Sequence, residues 1–402
     1  MKENTIFSEL YDFIEGTSVI NTHSHHLRGE EFAEYSLDKL LEKSYVSWCG
    51  VTFDKTKESR LHFLQKVRNR SYFVWLQDAL HKLHDFDEPI STDNWEKVSQ
   101  RIQTAHQDSD YHLQILRTVC KYQRIVLDGY WDPGTDNGIP DLFSPTFRIN
   151  MFLYGYSHSS MDHNGNNPLV LYNRRVRDLE EYISLMREII TMKVNGGCIA
   201  LKSALAYDRS LDFTPTSKER ARKVFTKGDD ERSAEDIRAF QDFIFYEICT
   251  IAGELRIPFQ CHTGLGELDR TNAMWLREAI VRNPDTRFVL FHGGYPWTDD
   301  VAGLIHRYEN VYADICWLPI ISPSAAARML HELIEVGTAD RVTWGCDTWS
   351  SEESYGAMRA LRHVLAKVFA EKITDGYLSL GDAREMIERI LHRNAADLYG
   401  VS

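Results

Sequence analysis

Thr22-His23-Ser24-His25-His26 places two imidazoles, His23 and His25, two residues apart. In an extended chain that spacing puts both rings on one face, where two nitrogens can converge on one cation, while His26 points the other way. Alone, such a pair fits surface or barrel-mouth histidines as well as it fits a metal site. Further residues of suitable chemistry recur, each directly after an apolar run: Lys202, His262, His292 and Asp347. Imidazole and carboxylate suit a borderline divalent cation, which brings the pKa of its bound water to about 7. Asp347 reads as a ligand that also accepts a proton from that water, or as the cap of a following helix. His292 reads as a ligand or as a group that stabilises charge on the substrate. Lys202 reads three ways: carbamylated by CO2 and bridging two metals, an ammonium that holds an anionic substrate, or half of a structural ion pair.

The elements that must position these residues follow from periodicity. Short runs rich in β-branched and aromatic residues occur at 17–22, 124–127, 148–154, 198–202, 258–261, 288–291, 311–315 and 342–346. From the fourth onward each precedes a helical pattern, as at 233–255, 271–282, 324–336 and 352–369, with a capping-box-like start at Ser233-Ala234-Glu235-Asp236. This alternation predicts parallel strands with crossover helices, an α/β fold of the (β/α)8 TIM-barrel type. The candidate residues then share the mouth formed by the C-terminal strand ends. The chain, 1–402, is expected to be one barrel with a helical insertion after the first strand, at about 29–121, because structureless loops of that length are rare in compact domains. Residues 128–147, rich in Gly, Pro and Asp, are expected to cap the mouth, and 207–232 to form a lid.

Composition narrows the partners. A net charge of -13 leaves no basic stripe for phosphate, which argues against nucleic acid. Seven scattered cysteines without metal-type spacing read as reduced, buried thiols, and alternation turns Cys261 and Cys346 away from the mouth. No run of eighteen apolar residues and no signal-like h-region is present, so a soluble cytoplasmic protein without a membrane partner is expected. The expected partner is a small-molecule substrate, with a homo-oligomer as the default assembly. For a carboxylate-bearing substrate, Arg28 and Arg209 are candidate bidentate anchors, each equally readable as a surface ion pair. Tyr207, Trp131, Trp297 and Trp349 follow strands and are candidates to wall the pocket, with ordinary packing the alternative.

At these residues the sequence resembles the amidohydrolase superfamily, in its amidohydrolase-2 branch. The stretches from His262 to Trp297 and from Tyr312 to Asp347 also resemble amidohydrolase domains of FluG and nodulin-type proteins, whose glutamine-synthetase-like partner domain is expected to be absent here. The helical segment after the first strand resembles that of uronate isomerases. The resemblance implies a divalent metal, usually zinc, on His23, His25, His262 and Asp347. It implies that His292 polarises substrate or water around one ion, or ligates a second ion together with a carbamylated Lys202. An Asp often stands two residues before the His-x-His pair in this superfamily, and here that place is Asn21, a departure that touches the support of the ligands more than the metal. The implied activity is hydrolysis of an amide-type C–N bond in a small carboxylate-bearing compound, with Asp347 taking the water's proton and then assisting departure of the amine. Uronate isomerisation and nonoxidative decarboxylation are alternatives on the same site, and a ligand-binding or scaffold module is the alternative outside catalysis.

Overall fold

The computed structural model describes residues 3–337 and 339–401. Eight strands lie side by side in chain order: β1 (Val19–Ser24), β2 (Tyr122–Leu127), β3 (Phe143–Arg148), β4 (Ala200–Ser203), β5 (Phe259–Cys261), β6 (Phe288–Leu290), β7 (Val311–Asp314) and β8 (Val342–Thr343). All neighbouring pairs are parallel. Backbone bonds from Thr22 N to the Trp344 carbonyl (3.1 Å) and from Asp347 N to the His23 carbonyl (2.9 Å) join the last strand to the first. The two chains approach so closely that a Cβ on Gly345 would stand 2.5 Å from His23 N, which explains the missing side chain there. Asn21 bolts the same seam: its Oδ1 accepts from His23 N (3.2 Å) and Cys346 N (3.0 Å), and its Nδ2 donates to Cys346 Sγ (3.0 Å).

Period-two alternation sorts the strand residues into two layers. Ile20, Val126, Ala200 and Val289 point inward and form the barrel's own small core, closed from below by Leu398 and Tyr399 of the C-terminal helix Asn394–Tyr399. Residues two positions further along these and the other strands, Asp128, Arg148, Lys202 and His262, stay on the inner face and enter the mouth. The outward set, including Cys261 and Cys346, packs with the surrounding helices in the main core. All seven cysteines are free, and among the described residues no helix is long and apolar enough to cross a membrane.

One expected strand is misplaced. Residues 148–154 are not a strand: Asn150–Tyr154 is a 3-10 turn, and β3 lies upstream at Phe143–Arg148, inside the stretch expected to cap the mouth. Met151, Phe152 and Leu153 form an apolar run because they are buried on all sides, a pattern that does not distinguish turn from strand. Pro145 hides the true strand, since proline is usually a strand breaker.

Between β1 and β2 stand the helices Leu37–Glu42, Lys57–Val67, Ser71–His84 and Trp95–Ala105, which enclose a second core around Tyr35, Leu40, Phe63, Leu80 and Trp95. Two buried carboxylates of the helix Ser351–Thr374 hold this insertion to the barrel. Glu352 meets His106 Nε2 at 2.7 Å, and Glu353 accepts from Tyr45 N at 2.6 Å, burial pushing the Glu353 carboxyl up to about 8. Residues 207–232, the expected lid, form short turns and the helix Lys218–Ala221.

Candidate metal centre

Three electron-pair donors meet at the barrel mouth. His23 Nε2 lies 3.2 Å and His25 Nε2 3.1 Å from Asp347 Oδ1. His25 Nδ1 is 2.8 Å from the carbonyl oxygen of Asp128, an acceptor only, so its proton sits on Nδ1 and a lone pair faces the carboxylate. A lone pair aimed at an anionic oxygen is repulsive unless a cation lies between them. In a tetrahedral site with bonds of about 2.0–2.1 Å, neighbouring ligand atoms stand about 3.3 Å apart, close to both spacings. The donor set therefore fits a divalent cation held by His23, His25 and Asp347.

His262 and His292 repeat the pattern. His262 Nε2 donates to the Leu265 carbonyl (2.5 Å), leaving Nδ1 as a lone pair. His292 Nδ1 faces the Cys316 carbonyl at 3.4 Å and Asp347 Oδ2 at 3.6 Å, so its lone pair is on Nε2. Those two nitrogens are 2.8 Å apart. Neither ring takes the extra proton readily: burial lowers His262 to about 3 and holds His292 well below its ordinary value, with Lys202 and neighbouring imidazoles adding to the effect. Burial likewise lowers His23 to about 3. Burial alone would raise Asp347, but the imidazoles that face it, His23 foremost, outweigh it and hold the carboxyl well below the usual range. Neutral imidazoles and an ionised carboxylate are the ligand-competent forms.

Local backbone conformation aims these groups. His292 and Asp347 both adopt left-handed conformations, φ 63° and 59°, as does Trp317 at φ 61°. Each costs on the order of 1–3 kcal/mol, and each falls at the end of β6, β7 or β8, where the strand must break to turn a side chain into the mouth.

Lys202 is buried without a hydrogen-bond partner, its Nζ 3.7 Å from the centre of the Phe291 ring. Burial lowers it to about 8, although Asp128 pulls the other way. A lysine near neutrality is the form that can react with CO2, and an orphaned buried amine is the form that gains by doing so.

The cavity over these groups has a volume of about 330 Å³. It is lined by His23, His25, Lys202, His262, Asp347, Tyr207 and Trp349 from the expected set, with Trp349 stacked on His25 and Tyr207 beside His262. His292 sits beneath, against His262 and Trp317. The structure does not bring Arg28 or Arg209 to this cavity. Arg28 pairs with exposed Asp132 (3.0 Å), and the 3-10 turn Leu205–Tyr207 swings Arg209 into a buried pair with Asp242 (2.6 Å). Trp131 is 40% exposed against Tyr130, and Trp297, beyond the loop that follows His292, is also outside the lining.

The guanidinium at the mouth is Arg148, whose Nε and Nη2 donate to both oxygens of Asp128 (3.3 and 2.5 Å). Burial opposes ionisation of Asp128, yet Arg148 holds it well below the usual carboxylate range. Asp128 also lies within metal-ligand reach of His23 and His25. Sequence reasoning missed both residues, although each is the inward residue that ends its strand. The insertion adds Tyr45 and Trp48, and the loop after β3 adds His163 and Asn164. Tyr45 and Trp48 carry no signal in the sequence.

An eight-stranded parallel barrel with imidazoles, a carboxylate and a lysine gathered at its C-terminal mouth defines the class of metal-dependent barrel enzymes. Residues 224–401 match the amidohydrolase family, which shows the expected resemblance on the stretch that supplies His262, His292 and Asp347. Over 219 residues, 50% of this chain, it is 28% identical to the fluG protein of Emericella nidulans, and the match spans a quarter of that relative's length. The fold is that of the uronate isomerase of Thermotoga maritima (TM-score 0.77, 16% identity, 98% of this chain and 97% of that one). It is equally that of the glucuronate isomerase of Caulobacter crescentus (TM-score 0.78, 14% identity, 99% and 94%). The chain thus joins an amidohydrolase-family match over 224–401 to the fold that these two isomerases share.

Proposed function

We propose that the protein is a metal-dependent hydrolase that cleaves an amide-type C–N bond of a small carboxylate-bearing compound. The observation that carries this reading is the convergence of His23 Nε2, His25 Nε2 and Asp347 Oδ1, a donor set and spacing that suit a divalent cation. One ion, most simply zinc, fits these three residues, and a second fits His262, His292 and a carbamylated Lys202. A bound divalent cation supplies Lewis acidity and a water of lowered pKa. Asp347 Oδ2, free of the His23 and His25 contacts, accepts the proton of the attacking water. His292, seated beneath the cavity with its Nε2 lone pair toward His262, serves the second ion as a ligand and has no N–H left for the substrate. Tyr45, Tyr207 and Trp349 exclude bulk water and orient the substrate. Arg148, in place of the expected Arg28 and Arg209, is the guanidinium that meets a substrate carboxylate, with its remaining donor. Uronate isomerisation is the second reading, favoured by fold likeness that extends over nearly the whole chain.

The test is turnover by the purified protein of γ-glutamyl and N-acyl amides, uronates and aromatic carboxylates, with metal content measured alongside. Amide hydrolysis that disappears together with the metal in His25→Ala is the expected result. Turnover of uronates without hydrolysis of any amide would overturn the hydrolase, and full activity in metal-free protein would overturn the metal centre.

A further inference from the structure

The loop after β3 brings an imidazole to the cavity that belongs to neither metal-ligand group. His163 lines the cavity, and the Tyr207 ring packs against both it and His262 (ring centres 5.4 and 4.6 Å apart). Its Nδ1 lies 2.9 Å from Asp208 Oδ2, and its backbone N donates to Asp208 Oδ1 at 2.8 Å, so one carboxylate fixes both the ring and the chain that carries it. Asp208 is fixed in turn: Asn150 Nδ2 donates to it at 2.6 Å, while Asn150 Oδ1 accepts from Ala204 N at 2.8 Å. With Nδ1 committed to a carboxylate, Nε2 is the nitrogen that exchanges a proton; in the neutral ring it accepts from Asn164 Nδ2 at 3.1 Å, the form left once its proton has been given up. This order, a working imidazole oriented by a buried carboxylate, is the base–orienter arrangement of acid–base catalysis.

The loop is built to hold that position. Asn167 Nδ2 donates to the carbonyls of Tyr154, Ser157 and Ser160 (3.1, 2.8 and 2.6 Å), and Asp162 Oδ1 accepts from Asn164 N and Asn166 N, both at 2.9 Å. A surface histidine has no need of such support. The side chain of His163 remains 26% exposed, which leaves it in reach of solvent protons, whereas that of Asp347 is 4% exposed.

We propose that His163, oriented by Asp208, is a second catalytic acid–base residue, which donates the proton that the leaving nitrogen requires. The inference rests on the hydrolase reading above. Attack of water forms the C–O bond, and its proton passes to Asp347. The electron pair of the breaking C–N bond goes to nitrogen, which takes a proton from His163 Nε2. His163 is left neutral with its Nδ1–H on Asp208; solvent at the mouth reprotonates it, and Asp347 releases its proton in turn, so the sum is addition of one water across the bond.

The experiment compares an alkyl amide and the p-nitroanilide of one acyl group that the wild type hydrolyses. His163→Gln is expected to keep its metal and lose about a hundredfold in kcat on the alkyl amide. It is expected to lose much less on the nitroanilide, whose amine leaves with little need of a proton, and to lack the alkaline limb of the wild-type pH profile. Asp208→Asn is expected to lose less in kcat while shifting that limb. Unchanged kcat and pH profile in His163→Gln overturns this inference alone, as does an equal fall on both substrates. A wild type that hydrolyses no amide overturns the function and this inference together.

Discussion

Replacing Arg148 with methionine tests the electrostatic design of the mouth. The wild-type pair is deeply buried, with side-chain exposures of 7% for Arg148 and 1% for Asp128. Methionine keeps much of the volume but leaves a carboxylate in the barrel without its partner, which costs about 3–5 kcal/mol. The pH dependence follows from sign. In the wild type Asp128 is held below its ordinary 3.8, so the pair stabilises the fold fully above about pH 4 and is lost only in stronger acid. In the variant burial, the largest influence on Asp128, is opposed only by the remaining His25 and His23, so the carboxyl rises and the penalty grows by about 1.4 kcal/mol for each pH unit between 3.8 and the raised value. Urea unfolding at pH 8 and pH 5 should give a larger loss at pH 8, and Asp128→Asn in the Arg148→Met background should recover part of it. Because the Asp128 carbonyl receives the His25 proton, metal content should fall in parallel. A loss below about 1 kcal/mol, or one equal at both pH values, would refute the reasoning.

Gly264→Ala puts a Cβ 2.2 Å from the Tyr295 carbonyl oxygen at a φ of 85°, so neither backbone can yield cheaply. A loss of more than about 2 kcal/mol in thermal or urea unfolding is expected, with metal loss through displacement of His262; wild-type stability would count against the packing. His23, His26 and His262 are held neutral to about 3, whereas in the unfolded chain they take up protons below 6.5. Stability is therefore complete above about pH 6.5 and lost as pH falls toward 3, so the urea midpoint of metal-free protein should drop clearly between pH 7.5 and 5.5, and equal midpoints would contradict it. Trp48→Ala removes an aromatic wall at the rim; a KM about tenfold higher with unchanged kcat is expected, and a fall confined to kcat would place Trp48 elsewhere in the reaction.

Strand parity made most of the ligand set legible in the sequence. Lys202, His262 and Asp347 are polar residues that end apolar runs, and a barrel sends every second residue to its axis; His23, an odd step beyond inward Ile20, is legible through its His-x-His spacing instead, and the register shifts between Asn21 and Ser24. The same rule reaches Asp128, which was read as the start of a loop, and Arg148, which was lost because Pro145 disguised β3 and the buried Met151-Phe152-Leu153 turn imitated it. Arg28 and Arg209 were plausible anchors by proximity along the chain, yet a charged partner within reach, Asp132 or Asp242, claims each of them. Tyr45, Trp48 and His163 lie on the insertion and a long loop, where no period relates a residue's number to its direction. Their place depends on contacts such as Glu353 with Tyr45 and Asp208 with His163, which join distant parts of the chain.

The Asn21 bridge to Cys346 spans 325 positions of sequence, and His23 and Asp347 face each other across the same seam. A cation shared by those two residues would act as a cross-link between the first and last strands, closing nearly the entire chain into one loop. The entropy removed by such a clip grows with the logarithm of loop length, so few places in the molecule offer more from a single bond. Stripping the ion should then loosen the barrel along its one seam, and a chelator should accelerate unfolding by a route that starts between β8 and β1.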